Sequence, residues 1–182
     1  MLDLVLHPSE TRQPRHKVRA SVRRIAGSDL VTLRFEVEGA ANIVWPCHDK
    51  IERRDELWKE TCLECFVAPS AASSYCEWNF ASDGSWAAYH FEGYRQGMRK
   101  VEVSAPTVVR TSVADRARFE IDFSLPPEFI EGATWASLAL SVTAVMIEKS
   151  PDSSAPFYWA LAHKGAKPDF HLRESFTLEV EY

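Results

Sequence analysis

Seven side chains of this chain have types that together would hold a polar ligand: Glu64, Glu77, Asn79, Trp86, His90, Asp169 and His171. A sugar presents apolar CH faces and a rim of hydroxyls, so its site needs an aromatic platform beside planar amide or carboxylate partners. Trp86 supplies the platform in this reading. Glu64, Glu77 and Asn79 supply hydrogen bonds, and His90, Asp169 and His171 stand at the rim, where Trp45 and Trp159 are further aromatic candidates. The same residues also admit a purely architectural role, in which the two glutamates and the asparagine pair with arginines and loop backbone beneath a surface segment such as Asp49–Lys59.

Other chemistries meet only part of their requirements. A glycosidase needs two carboxyls roughly 5–10 Å apart in a cleft, one with a raised pKa. Glu64 and Glu77 on neighbouring strands satisfy the distance, but a flat sheet face offers no cleft. Cys62-Leu63-Glu64-Cys65 has C-x-x-C spacing. Within a strand, however, positions 62 and 65 face opposite ways and cannot share a metal without a bulge. Buried thiols are the expectation. The His163–His171 loop, with Asp169, has a spacing that fits no compact metal motif. Haem would need axial Met or His ligands; Met98, Met146, His90 and His163 exist, but context picks out no pair. No cofactor is therefore expected. The basic run Arg12, Arg15, His16, Lys17, Arg19, Arg23 and Arg24 alternates with apolar residues, as the wet face of a first strand would.

These residues sit in 182 positions, the size of one domain, and we expect a single domain spanning 1–182. The balance of 21 basic against 26 acidic residues, net −5, does not favour binding to nucleic acid or to an anionic membrane surface. The most apolar stretch, Trp135–Ile147, is too short to span a bilayer and is interrupted by Ser137, Ser141 and Thr143. The opening MLDLVLHPSE lacks the features of an export signal. With four cysteines within thirty residues, the expectation is a cytoplasmic protein with reduced thiols. Six tryptophans have two uses, core filling or a platform for a flat ligand.

The elements that must position the candidates are strands. Val31, Leu33, Phe35 and Val37 alternate with Thr32, Arg34, Glu36 and Glu38; the same period of two recurs in Arg118–Leu125 and Phe176–Tyr182. One face buried and one wet is the mark of antiparallel sheet. Val18–Ile25 and Leu30–Glu38 read as a hairpin through Ala26-Gly27-Ser28-Asp29. Asp49–Lys59 reads as an irregular loop or short helical turn, and Pro126–Ile130 as a single turn with proline at its start. Short strands with few or no helices predict an all-β, antiparallel β-sandwich.

The central segment carries the site. Asp83-Gly84 suits a two-residue type I′ turn, which pairs Ser82 with Ser85, Asn79 with Ala88 and Glu77 with His90. In that register Cys76, Trp78, Phe80, Ala87, Tyr89 and Phe91 form a core face, and Tyr75, Glu77, Asn79, Trp86, Ala88 and His90 the opposite one. Thr61–Ala68 pairs across the Pro69–Ser74 loop and adds Cys62, Glu64 and Phe66 to the polar face. A slip of one residue would reassign these faces. On the strand Leu138–Met146, Ser137, Ala139, Ser141 and Thr143 form a small-residue face that permits close approach by a partner sheet or a ligand.

Leu57-Trp58-Lys59-Glu60-Thr61-Cys62-Leu63-Glu64-Cys65-Phe66 resembles a strand signature of DOMON-like domains, β-sandwiches grouped with family-9 carbohydrate-binding modules. Glu77–Tyr89 resembles the hairpin that follows in a bacterial DOMON-like group, as does the tail Tyr158-Trp159-Ala160-Leu161-Ala162-His163 with Pro168-Asp169-Phe170-His171. The resemblance covers most of the chain. It implies a jelly-roll-like sandwich that binds sugar or, in some relatives, haem. The expected function is a non-catalytic module binding a saccharide or sugar derivative. The alternatives are a small enzyme or metal or haem protein using Glu64/Glu77 or the His163–His171 loop, and a protein-interaction module marked by an exposed apolar patch. Oligomeric state is not legible.

Overall fold

A computed structural model describes residues 1–24, 28–70, 72–129, 137–150 and 155–181. Its strands make two antiparallel sheets stacked as a sandwich. The smaller sheet runs from β1 (Leu2–Asp3) through β3 (Lys17–Arg24), β4 (Leu30–Glu38) and β10 (Arg116–Ser124) to β9 (Thr107–Val113). The larger runs from β2 (Val5–Leu6) through β12 (Phe157–Ala160), β11 (Ser137–Met146), β5 (Cys62–Pro69), β6 (Tyr75–Phe80) and β7 (Trp86–Phe91) to β8 (Arg99–Lys100). The last strand, β13 (Leu178–Glu181), pairs with Ser137–Leu140 of β11, while β12 pairs with Thr143–Met146. The all-β antiparallel sandwich expected from the period of two is what forms. The helices among the described residues are single 3-10 turns, including Leu57–Lys59 and Pro127–Phe129, where the sequence suggested short turns. None is long and apolar enough to cross a membrane.

The smaller sheet behaves as its alternation requires. Val31, Leu33, Phe35 and Val37 of β4 meet Phe119, Ile121 and Phe123 of β10 in the sandwich interior. Lys17, Arg19 and Arg23 of β3 lie on the outer face, or near it, as solvated cations do. His16, counted with that basic run, is instead buried. Its Nε2 accepts the Trp159 indole N–H (2.9 Å), so the proton sits on Nδ1 and is donated to Glu148 (2.7 Å). Trp159 is thereby committed to the core rather than to a ligand rim. Trp45 is likewise committed, packing on Phe119 with its N–H on the Ala40 carbonyl. The β3–β4 hairpin forms, but Ala26-Gly27 of its turn, and likewise Trp135 and Asp152-Ser153-Ser154, lie outside the described residues.

The larger sheet departs from the simple pattern, because every residue of β5 and β6 is buried. Leu63, Cys65, Val67, Cys76, Trp78 and Phe80 face the sandwich interior. The alternate residues Cys62, Phe66, Ala68 and Tyr75 form a second apolar cluster on the outer face, with Leu57, Phe170 and Phe176 laid over them from distant segments. Cys62 and Cys65 do face opposite ways, and both thiols are free and buried; Cys47, also expected buried, is exposed. An antiparallel sheet commonly leaves one face to water. Here the stretches 49–60 and 161–177 cover that face, and they leave a gap between them.

Candidate functional site

The gap is a cavity of about 490 Å³ on the outer face of the larger sheet. Trp58, Tyr89, Phe91, Tyr158 and Phe170 contribute aromatic wall, and Glu64 and Glu77 reach it from the sheet. The small-residue face of β11 lies on this side, with Val145 lining the cavity and Thr143 bonded to Glu64. Close approach was therefore needed by the covering segment and the cavity, not by the partner sheet.

Register decides which side chains arrive there. In β5 and β6, Glu64 lies opposite Asn79 and Phe66 opposite Glu77, so the three polar residues share the outer face as the sequence suggested. The β6–β7 hairpin, however, is shifted by one residue from the two-residue-turn register. Phe80 pairs with Trp86, Asn79 with Ala87 and Glu77 with Tyr89. The Gly84 N–H bonds to the Ala81 carbonyl and the Ala81 N–H to the Ser85 carbonyl, closing a three-residue loop of Ser82-Asp83-Gly84. In that loop Gly84 takes a positive φ (+100°) while Asp83 does not, as in a type I turn followed by a glycine bulge. Asp83 is held by its own contacts: its carboxylate accepts the Ser85 N–H (2.9 Å) and both the N–H and ring Nδ1 of His48.

An odd loop length inverts the faces of β7. Trp86 is therefore not a platform. It is 7% exposed, belongs to the sandwich core and has the Arg53 guanidinium 5.0 Å over its ring. His90 also shares the inner side, in line with Cys76 and Trp86, and is absent from the cavity wall. Tyr89 and Phe91, assigned to the core by the shorter turn, line the cavity instead. Asp169 and His171 do reach it, on the stretch that follows β12. Trp58, Arg95, Tyr158 and Phe170 also line it without having been picked out, as does Met98, considered only as a haem ligand. For Tyr89 a sequence signal existed, the three-residue alternative for the Asp-Gly loop; for the others nothing local reports which face a distant segment will cover.

The floor is a hydrogen-bonded set of uncharged donors on carboxyl groups. Asn79, fully buried, donates from Nδ2 to Glu77 (2.7 Å) and accepts the Cys62 thiol on Oδ1. The Thr143 hydroxyl donates to Glu64 (3.0 Å). Burial pushes the Glu77 carboxyl up to about 7, against the opposing pull of Asn79 and Arg95. Burial, and then the neighbouring Glu77 charge, hold Glu64 well above the ordinary carboxylate range. Neither glutamate is buried by an arginine clamp of the kind the architectural reading required.

His171 is oriented by its neighbours. The Tyr75 hydroxyl accepts the Arg95 backbone N–H (3.2 Å) and shares a hydrogen bond with His171 Nδ1 (2.7 Å). The other ring nitrogen, Nε2, faces Glu77 at 3.8 Å. Burial, with the Arg95 charge second, lowers this histidine to about 4, so the ring is neutral at pH 7. Asp169 ties the covering stretch to the β7–β8 connection: it accepts from Tyr94, from the Arg95 guanidinium (3.0 Å) and from the His171 N–H (3.0 Å). Burial opposes its charge, but these three donors hold its carboxyl below its ordinary value. His163, by contrast, packs edge-on against His7 and bonds the Val5 carbonyl. Among the described residues no group of three or more His, Cys, Asp or Glu is placed to hold a metal.

Known proteins share this architecture. A candidate carbohydrate-binding protein from Bacteroides uniformis ATCC 8492 superposes with a TM-score of 0.67 at 12% identity, over 97% of this chain and 82% of that one. A family 9 carbohydrate-binding module from Caldicellulosiruptor kristjanssonii, in complex with glucose, superposes with a TM-score of 0.54 at 10% identity, over 94% of this chain and 78% of that one. The likeness shows a carbohydrate-module-like sandwich fold. No protein-family model and no curated protein sequence matches the chain.

Proposed function

We propose that this chain is a non-catalytic module that binds a saccharide or sugar derivative in the cavity over β5, β6 and β7. One observation carries the reading: an aromatic-walled cavity of about 490 Å³ with two buried carboxyls at its floor. Its volume falls in the range of small-molecule sites. Trp58 and Tyr89 offer ring surface to the CH face of a pyranose, and Glu64, Glu77 and His171 offer hydrogen bonds to its hydroxyls. The shared fold with a glucose-bound family 9 module supports the reading.

The cavity also favours a second reading, acid–base catalysis on a glycoside, because it supplies the cleft that a flat sheet face lacks and a carboxyl titrating near neutrality. Glycosidase action needs one carboxyl protonated and its partner firmly ionised. Burial raises both members of this pair, so neither is a dedicated anion at pH 7, and binding is the better match.

Titration calorimetry with mono- and oligosaccharides tests the proposal, alongside Trp58→Ala. Trp58 is partly exposed at the cavity wall, and its removal should weaken binding roughly tenfold, with far-UV circular dichroism checking that the variant folds. No saccharide binding, or an unchanged affinity in Trp58→Ala, would overturn the proposal. Release of phenolate from aryl glycosides, abolished in Glu77→Gln, would select the catalytic reading instead.

A further inference from the structure

Two carboxyls of the cavity, Glu64 and Glu77, have no lysine or arginine hydrogen-bonded to them among the described residues. Glu64, Glu77 and Asp169 bring three carboxyls to its lining, and Arg95 is the one lysine or arginine among the described lining residues. That guanidinium is paired with Asp169 at 3.0 Å, and its side chain is about half exposed. The hydrogen bonds to Glu64 and Glu77 come from a hydroxyl and an amide, both uncharged. His171 does not stand in as a cation at pH 7, because burial, with the Arg95 charge second, keeps its ring neutral. The floor thus holds two carboxyls that burial makes reluctant to ionise, with no lysine or arginine among the described residues hydrogen-bonded to either. Lining the same cavity are the ring systems of Trp58, Tyr89 and Tyr158. Aromatic faces beside carboxylates are the surroundings that stabilise a desolvated ammonium group.

Resting on the saccharide reading above, we infer that the ligand is an amino sugar with a free ammonium group, that group seated between Glu64 and Glu77 and the sugar ring against Trp58 and Tyr89. A neutral sugar would leave the carboxyls protonated and use them only as hydrogen-bond partners. An ammonium instead favours their ionised forms, so binding of the cation expels protons from the floor. The groups facing Glu77 and Glu64 in this equilibrium include Cys62 from β5, Tyr75 from β6, Tyr89 from β7, Arg95 from the β7–β8 connection, Tyr158 from β12, and Asp169 and His171 from the covering stretch. The neutral state of His171 leaves the ligand as the cation that closes the account.

The experiment is calorimetric titration of the full chain at pH 7 and low salt with D-glucosamine, D-glucose and N-acetyl-D-glucosamine, repeated in buffers of different ionisation enthalpy. D-Glucosamine should bind roughly tenfold more tightly than either neutral sugar, with net proton release that the neutral sugars do not show. Glu77→Gln should erase that preference; the preference and proton release of the unmodified chain test the inference even if this variant fails to fold. Equal or tighter binding of D-glucose or N-acetyl-D-glucosamine, without proton release, would overturn the amino-sugar inference while leaving the saccharide reading in place. Failure of every saccharide, neutral or amino, to bind would overturn both.

Discussion

Replacing Glu77 by glutamine should make the protein more stable at neutral and alkaline pH, and by an amount that depends on pH in a defined way. In the folded chain the carboxyl is raised from 4.5 to about 7, chiefly by burial. Below pH 4.5 the folded and unfolded chains both carry the proton, and the group contributes no difference. Between 4.5 and about 7 the unfolded chain has released its proton while the folded chain retains it, so stability falls as pH rises. Above about 7 the folded chain ionises too and the deficit is complete. The shift corresponds to about 3 kcal/mol. Glutamine keeps the same shape and can still accept the Asn79 amide on its Oε1, so the substitution removes the charge without opening a cavity. The gain should approach that figure at pH 8 and fade towards pH 4.5; at roughly 2–4 °C per kcal/mol for a chain of this size it amounts to about 6–12 °C in Tm at pH 8. Urea denaturation of both proteins at half-unit pH intervals measures it, and the difference between the two curves cancels the titrating groups that do not interact with Glu77. Parallel curves across pH 4.5–8, or a variant less stable than the parent at pH 8, would refute the assignment of Glu77 as a buried, reluctantly ionised carboxyl.

Trp86→Ala should cost about 3–5 kcal/mol of stability, the range for emptying a large aromatic from a core; denaturant midpoints measure it, and a loss under 1 kcal/mol would return Trp86 to the surface. Trp159→Phe should cost about 1–3 kcal/mol, because it leaves His16 Nε2 buried without its donor; chemical unfolding at pH 7.5 reads this, and a neutral effect would break the proposed tautomer. Gly39→Ala should destabilise by more than about 1 kcal/mol, since Gly39 has φ +75° and an added Cβ would lie 2.1 Å from the Arg15 carbonyl oxygen; a thermal scan that matches the parent would contradict the close approach of these two backbones.

The period of two was sufficient for the sandwich. In β4 and β10 the alternating Val, Leu, Phe and Ile positions are buried, because consecutive side chains of a strand point to opposite faces; Glu36 on the opposite face is buried as well, paired with Arg118. The union of Glu64, Glu77 and Asn79 on one face was legible for the same reason, once the pairing of β5 with β6 had even parity. Trp86 was misplaced through one local choice. A two-residue and a three-residue loop are both compatible with Asp-Gly, and they differ by a parity that exchanges every side chain of β7 between core and cavity. His48, distant in sequence, holds the Asp83 carboxylate in the longer loop, and nothing in the hairpin itself reports that partner.

The sequence by itself determined the strands, their alternation and the carboxylates that share a face, since each follows from the geometry of neighbouring residues along one chain. Tertiary structure decided which face of β7 meets those carboxylates, and that the outer sheet surface is roofed by residues 49–60 and 161–177. These are long-range contacts set by packing and desolvation. They turn an open sheet face into a cavity, raise the two glutamates, and give Tyr89, His171 and Trp58 a place beside them.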